Sequence, residues 1–303
     1  MSDHPGPPRD MVGYGRSPPA PKWPGGARVA VNFCINYEEG AEMCVLNGDD
    51  RSEVRIGDVK VEAREGERDL NMEQVYEYGS RVGFWRIMRA FEDRGLAATI
   101  NLVGLAGEQN PEAMAAIAES GHDIQCHGWR WIEHHGLAEE VEREHIRKCV
   151  DQATALIGEH PAGYYAGLPS PNTRRLVVED GGFLYDSDCY NDDLPYWDRN
   201  HGRPHLVIPY SLDTNDSRFA RGEGYQVADQ FVTYIQDSFD QLYVEGAERP
   251  AVLTVGLHAR LIGRPGRIAA LHRILDHIQA RDAVWICRRG DLARHWANTH
   301  PPA

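Results

Sequence analysis

The sequence predicts an α/β fold: a mostly parallel sheet, closed or nearly closed into a barrel ringed by helices. Short apolar runs of the buried-strand kind recur about eight times along the 303 residues, and most are separated by stretches of helical periodicity. Acids and histidines also stand at the carboxyl ends of several runs, where the loops of a parallel barrel converge.

In chain order, residues 1–26, with "PGPP" and "SPPAPKWPGG", read as an extended proline-rich arm that wraps the body or a neighbouring subunit. The strand-like runs are "RVAVNFCI", "LAATINLVG", "GHDIQCH", "GYYAG", "GFLYDSD", "HLVIPYS", "AVLTVGLHA" and "AVWICRR". Between them, Glu73 to Arg94 sets Phe84, Met88 and Phe91 at helical spacing and stops at Gly95. "NPEAMAAIAESG" has Asn110 as N-cap, Pro111 in the first turn and Gly121 as C-cap. Ile146, Val150, Ala153 and Ile157 share one helical face, as do Ile268, Leu271, Leu275 and Ile278. Ala41 to Met72 and "YNDDLPYWDRNHGRP" lack a period and are long enough to be functional loops. No internal repeat is visible, and residues 27–303 are expected to form one catalytic domain.

Forty-six acidic against 32 basic residues give a formal charge of -14, which repels phosphate backbones and anionic headgroups, so neither nucleic acid nor a membrane surface is expected as a partner. The start "MSDHPGPPRD" has no apolar core of a signal peptide, and no segment approaches the roughly 18 to 20 apolar residues of a membrane span; a cytoplasmic location is expected. Six cysteines without a CxxC read as reduced core thiols, with neither disulfide nor zinc. Cys126 beside His127 is read as a buried thiol rather than a nucleophile.

The strand-end residues carry the functional reading. Glu38 and Glu39 end the first run, His127 the third, Asp186 and Asp188 the fifth, and His258 ends "AVLTVGLHA". Taken singly, a histidine beside an apolar run is a structural residue, an aspartate there caps a turn, and an acidic run is a solvated loop. Taken together, two acids, two imidazoles and further carboxylates at one end of a sheet are what a hydrolytic centre needs for proton transfer or metal binding.

With these residues in view, the chain resembles the polysaccharide deacetylase (NodB-homology) superfamily, in its allantoinase-like PuuE-type branch. The likeness runs nearly end to end, through "RDMVGYGRSPPAPKWPGGARVAVNF", "NYEEGAE", "YEYGSRVGFWRIMRAFEDRGL", "CHGWRWIEH", "SPNTRRLVVEDGGFLYDSDCYNDDLPYW" and "VGLHARLIGRPGRIAALHRILDHI". It implies a distorted (β/α) barrel of the NodB type, hydrolysis of an amide C–N bond (cyclic in the allantoinase-like branch) and a homotetramer.

The resemblance sets the family's Asp-Asp motif on Glu38 and Glu39, its first motif histidine on His127 and its late catalytic histidine on His258. The second motif histidine falls on Trp131. Catalytic zinc takes three protein ligands and an open position, so Glu39 and His127 alone make a poor zinc site; His134 and His135 read as loop residues. No cofactor is therefore expected, with zinc on Glu39 and His127 as the alternative. Leu168 stands where many allantoinase-like members have an arginine, which removes a multi-donor fork for a carbonyl or ureido group. The substrate is accordingly read as a small cyclic amide, allantoin-like or a cyclic imide. Trp129, Trp131, Leu168, Asp186 and Tyr190 are assigned to binding it. In the expected mechanism Glu38 or Glu39 activates water, His127 with backbone donors stabilises the oxyanion, and His258 protonates the leaving nitrogen. The alternatives are a metal-dependent sugar N-deacetylase and a non-catalytic ring-binding barrel.

Overall fold

A computed structural model describes residues 6–57 and 62–302; the first five residues of the arm, residues 58–61 of the long acidic loop and residue 303 lie outside the described residues. The strands are β1 (Val29–Tyr37), β2 (Thr99–Leu102), β3 (Asp123–Cys126), β4 (Gly163–Tyr164), β5 (Tyr185–Asp186), β6 (Tyr196–Asp198), β7 (His205–Val207), β8 (Ala251–His258) and β9 (Val284–Ile286). The α-helices are α1 (Leu70–Tyr78), α2 (Phe84–Glu92), α3 (Gly104–Gln109), α4 (Pro111–Glu119), α5 (Glu139–Ile157), α6 (Thr173–Asp180), α7 (Ala228–Glu245), α8 (Ala259–Ile262), α9 (Pro265–Gln279) and α10 (Arg289–Thr299).

The sheet runs β6-β7-β5-β4-β3-β2-β1-β8, parallel throughout except for the antiparallel β6–β7 pair. β9 pairs with the first half of β1, through Val29 to Val31, and β2 with its second half, through Cys34 to Tyr37. This curled half-barrel with its helices matches the NodB-type (β/α) fold, which the resemblance implied as a distorted barrel. The expectation of a closed or nearly closed barrel is corrected: among the described residues no continuous ladder joins β6 to β8. The free edge of β8 is tied only locally, by a bridge between Asn215 and Gly256 and by Val252 N–H donating to Asp193 O at 3.0 Å. β6, inside the proline- and aspartate-rich stretch read as a loop, is also an addition to the expected strands.

All nine residues of β1 are buried, which is why its sequence shows no alternation. Helix α2 buries Phe84, Ile87, Met88 and Phe91 against it, with Phe33–Phe91 and Tyr37–Phe84 in edge contact at 5.4 and 5.0 Å. Each such side chain contributes about 1.5–3 kcal/mol of apolar burial. Helix α4 starts as its sequence predicts, with Asn110 Oδ1 accepting from Ala113 N–H at 3.1 Å. The segment read as one helix from Glu73 to Arg94 is α1 and α2 joined by a single π turn, Gly79–Gly83.

The described part of the arm lies along its own chain. Tyr14 Oη donates to Pro195 O at 2.6 Å, and Trp23, almost fully buried, packs against Trp285 and Trp296 at 5.9 and 6.0 Å. All six cysteines are buried free thiols, and burial pushes the Cys126 thiol well above its ordinary range, so it does not supply a nucleophile. Among the described residues no helix is long and apolar enough to cross a membrane.

Candidate active site

β1 ends at Tyr37, paired with Leu102 of β2, and its Asn36 pairs with His258 of β8, so the next two residues, Glu38 and Glu39, emerge beside the ends of β2 and β8. Both are buried, at 1% and 3% exposure, so neither belongs to a solvated bend. Glu38 is the hub. Its Oε1 lies 3.3 Å from His127 Nε2 and 3.5 Å from His258 Nε2, and its Oε2 lies 2.7 Å from a terminal nitrogen of Arg260. The four sequence-predicted residues Glu38, Glu39, His127 and His258 therefore stand together. Burial on its own would raise the Glu38 carboxyl, but Arg260, His258 and His127 pull it well below the usual range, so Glu38 is ionised. Burial dominates at Glu39 and raises its carboxyl above the ordinary range, with the Glu38 charge adding to the rise.

Each imidazole has one nitrogen committed elsewhere. His127 follows β3, and its Nδ1 contacts Tyr165 O at 2.5 Å; a carbonyl only accepts, so Nδ1 carries the hydrogen and Nε2 faces Glu38. The His127 ring is stacked on Tyr165 at 4.9 Å, and Tyr165 in turn on Tyr210 at 4.5 Å. His258 ends β8, and its Nδ1 donates to Asp216 Oδ1 at 2.6 Å while its backbone N–H donates to Asp216 Oδ2 at 2.8 Å. Burial would lower the His258 imidazole, yet Glu38 and Asp216 outweigh it and raise it to about 9, so the ring is an imidazolium at neutral pH.

Sequence reasoning missed Asp216 and Arg260. Asp216 opens a 3-10 turn capped by Asn215, and the Asn215–Gly256 bridge sets that turn against β8, 42 residues before the histidine it orients. Nothing in "SLDTNDSRF" marks it. Arg260 had a signal: it is the single Arg, Lys, Asp or Glu within "VGLHARLIG". It lies in α8, fully buried, its guanidinium 4.2 Å over the Tyr76 ring and 5.4 Å from the Trp131 ring, with Nε donating to Ile56 O at 3.1 Å. Its backbone N–H donates to Glu39 Oε1 at 3.2 Å. The π turn makes this approach possible, since a Cβ at Gly79 would sit 2.5 Å from Glu39 Oε1 and 2.9 Å from Arg260 N, and one at Gly83 would collide with Ala259 O.

The residues assigned to substrate fare unequally. Trp131 belongs to the wall around Arg260, its backbone bridged to Glu42. Trp129 engages helices instead: its ring covers Gly104 of α3, and Lys148 of α5 reaches over it at 5.4 Å. Helix packing is the corrected reading for Trp129. Leu168 is half-buried, and its carbonyl accepts from His134 N–H at 3.0 Å. Tyr190 is 41% exposed, with its hydroxyl 3.1 Å from that of Tyr165. The Asp186 carboxylate is engaged by the Arg174 fork at 2.8 and 3.0 Å and by His205 at 3.2 Å, which corrects its assignment to substrate. Asp188 holds the loop after β4 by accepting from Ala166 and Gly167 N–H, both at 2.8 Å. His134, read as a loop residue, is buried and faces Glu142 at 3.2 Å.

A carboxylate held ionised between two imidazoles, one of them charged and braced by a second carboxylate, has the parts for water activation and protonation of a leaving group. Comparison with known proteins agrees with the fold that carries these parts. Residues 71–178 match the polysaccharide deacetylase family model. A Schizosaccharomyces pombe protein named for the polysaccharide deacetylases is 38% identical over 97% of this chain and 98% of its own. The crystal structure of PuuE allantoinase superposes with a TM-score of 0.96 at 50% identity, covering 98% of this chain and 99% of that one. A Pseudomonas aeruginosa PAO1 structure named for a polysaccharide deacetylase gives 0.95 at 50% identity, covering 98% and 100%. By these relatives and by its own fold, the chain belongs to the polysaccharide deacetylase family.

Proposed function

We propose that this chain is a hydrolase that opens a small cyclic amide, allantoin-like or a cyclic imide, by water attack on a ring carbonyl without a bound metal. The observation that carries the reading is Glu38: one buried carboxylate within 3.3 and 3.5 Å of two imidazoles. Glu38, held ionised, is the base that takes a proton from water. Its depressed basicity is the cost of being a carboxylate throughout the neutral range. His258, charged and oriented by Asp216, gives its proton to the departing ring nitrogen as the C–N bond breaks. His127 holds its Nε2 3.3 Å from Glu38 Oε1, close enough to donate to the carboxylate, so its role is to orient the base, and the oxyanion role expected for it passes to another residue.

Burial supports a small substrate over a polymer. Glu38, Glu39, His127 and His258 are each at most 6% exposed, which suits a molecule that can be wholly enclosed better than a glycan lying in an open groove. The PuuE allantoinase likeness supports a ring amide, and Leu168 supports a ring less rich in polar groups than one gripped by an arginine.

A three-ligand zinc centre of the Glu39–His127 kind does not fit these residues. The Glu39 oxygens accept from Arg260 N–H and Glu38 N–H, and a guanidinium nitrogen already stands 3.5 Å away. The second histidine position is Trp131, and His134 is turned to Glu142. Among the described residues no group of three His, Cys, Asp or Glu side chains is disposed to hold a metal ion.

The test is ring opening of allantoin, hydantoin, dihydropyrimidines, succinimide and glutarimide by the purified chain, beside metal analysis and chelator treatment. Turnover of one ring that survives chelation is the expected result. Stoichiometric zinc with chelator-sensitive release of acetate from an N-acetyl sugar would replace the reading with a metal-dependent deacetylase, and binding without turnover would make the barrel non-catalytic.

A further inference from the structure

With His127 facing Glu38, the constellation has a base and an acid but no evident electrophile for the carbonyl oxygen. Arg260 has the attributes of one. Its guanidinium is fully buried and permanently charged, and three fixed contacts hold it: the Tyr76 ring, the Trp131 ring and Ile56 O. Of its donors only Nε makes a directed side-chain hydrogen bond to the protein. The two terminal nitrogens are buried and ion-paired, one 2.7 Å from Glu38 Oε2 and the other 3.5 Å from Glu39 Oε1. Each terminal nitrogen carries two hydrogens, so a carboxylate on one side leaves the other hydrogen for a ligand. They lie beside the carboxylate that activates water, where negative charge develops on the attacked carbonyl.

We infer that Arg260 is the oxyanion-binding cation of this centre, its two terminal N–H groups receiving the oxygen of a tetrahedral adduct formed next to Glu38. In the step it serves, the water oxygen bonds to the ring carbon while its proton passes to Glu38. The carbonyl electron pair moves onto oxygen beside Arg260. When that pair returns, the C–N bond breaks and His258 protonates the nitrogen. This rests on the hydrolytic reading of Glu38, and the experiment separates the two.

The full chain and its Arg260→Lys, Arg260→Ala and Glu38→Gln variants are compared in two measurements. The first is binding of boric acid, followed by boron NMR, because borate is a tetrahedral oxyanion formed by adding hydroxide and requires no turnover. The wild type binds it, and Arg260→Lys, which keeps charge and bulk but loses the fork, weakens binding at least about tenfold. The second is steady-state kinetics on whichever ring the wild type opens. Arg260→Ala is expected to lose about 10²–10³-fold in kcat with KM changed less than about threefold. Millimolar guanidinium is expected to restore part of that loss in Arg260→Ala and none in Glu38→Gln, which a purely structural role would not do. If Arg260→Ala does not fold, Arg260→Lys decides: kcat falls at least about tenfold at unchanged KM. Absence of borate binding in the wild type, or an Arg260→Lys enzyme with wild-type binding and kcat, overturns the inference. Borate binding that depends on Arg260, with no ring turned over, keeps it and defeats the cyclic-amide reading instead.

Discussion

Two buried carboxylates, Glu38 and Asp186, keep similar company and end in different states. Each ends a strand, each is about 1% exposed, and each has an arginine and histidine beside it. Asp186 is satisfied: the Arg174 fork meets both its oxygens, Asp188 N–H donates to Oδ1 at 3.1 Å and His205 stands at Oδ2. Its carboxyl is held well below the ordinary range, because Arg174 and His205 outweigh burial. Glu38 carries the same kind of charge with its interactions incomplete. Its Oε2 is met by one Arg260 nitrogen at 2.7 Å, while its Oε1 has only the two imidazoles at 3.3 and 3.5 Å. A saturated cluster stabilises a fold, whereas one buried with donors and acceptors left over is poised to accept a ligand.

The most severe break in this contrast is removal of the proposed base. Glu38→Gln should lower kcat by about 10³–10⁴-fold with the fold retained. Asp186→Asn should do the reverse, costing about 3–5 kcal/mol by stranding Arg174 while folded protein keeps its turnover. Steady-state kinetics and urea unfolding on both variants check the pair.

Next comes the acid. His258→Gln should cost about 10²–10³-fold in kcat, and Asp216→Asn should move the alkaline limb of kcat/KM from about 9 toward lower pH, because the brace that raises His258 is lost. The same proton links to stability. The folded chain holds it up to about 9 while an unfolded imidazole releases it near 6.5, so the stabilisation is complete below 6.5 and lost as pH rises to about 9. The Tm of the wild type should therefore fall over that interval, and that of Asp216→Asn should fall less.

Gly83→Ala should destabilise by about 1–3 kcal/mol through overpacking against Ala259, read in the Tm. The smallest effect is expected at Trp129→Phe, with kcat/KM within about threefold of wild type, because that ring packs on helices α3 and α5. A larger loss would move Trp129 back into the binding site.

How much of this was legible depended on where each partner came from. Glu38, Glu39, His127 and His258 could be found because a parallel sheet lines up its strand ends, so three short stretches were enough. The same criterion misled at Asp186, whose partner Arg174 lies on α6, 12 residues earlier: a strand-end position says where a carboxylate is and nothing about whether it is already spent. Asp216 was invisible because its placement depends on a bridge from an irregular segment to the free edge of β8. Arg260 was visible as a charge in an apolar run, but its meaning required Tyr76, Trp131 and Ile56, three residues spread over 76 positions of the sequence. β6 escaped because three residues in an aspartate- and proline-rich stretch carry no period.

The meeting of Gly79 and Gly83 with α8 has a mechanical consequence. Where main chain lies directly on main chain there is no side-chain rotamer to act as a bearing, so α1 and α2 cannot slide over α8 independently of it. A shift of those two helices would carry α8 with it, and with α8 the contacts of Arg260 to Glu38 and Glu39.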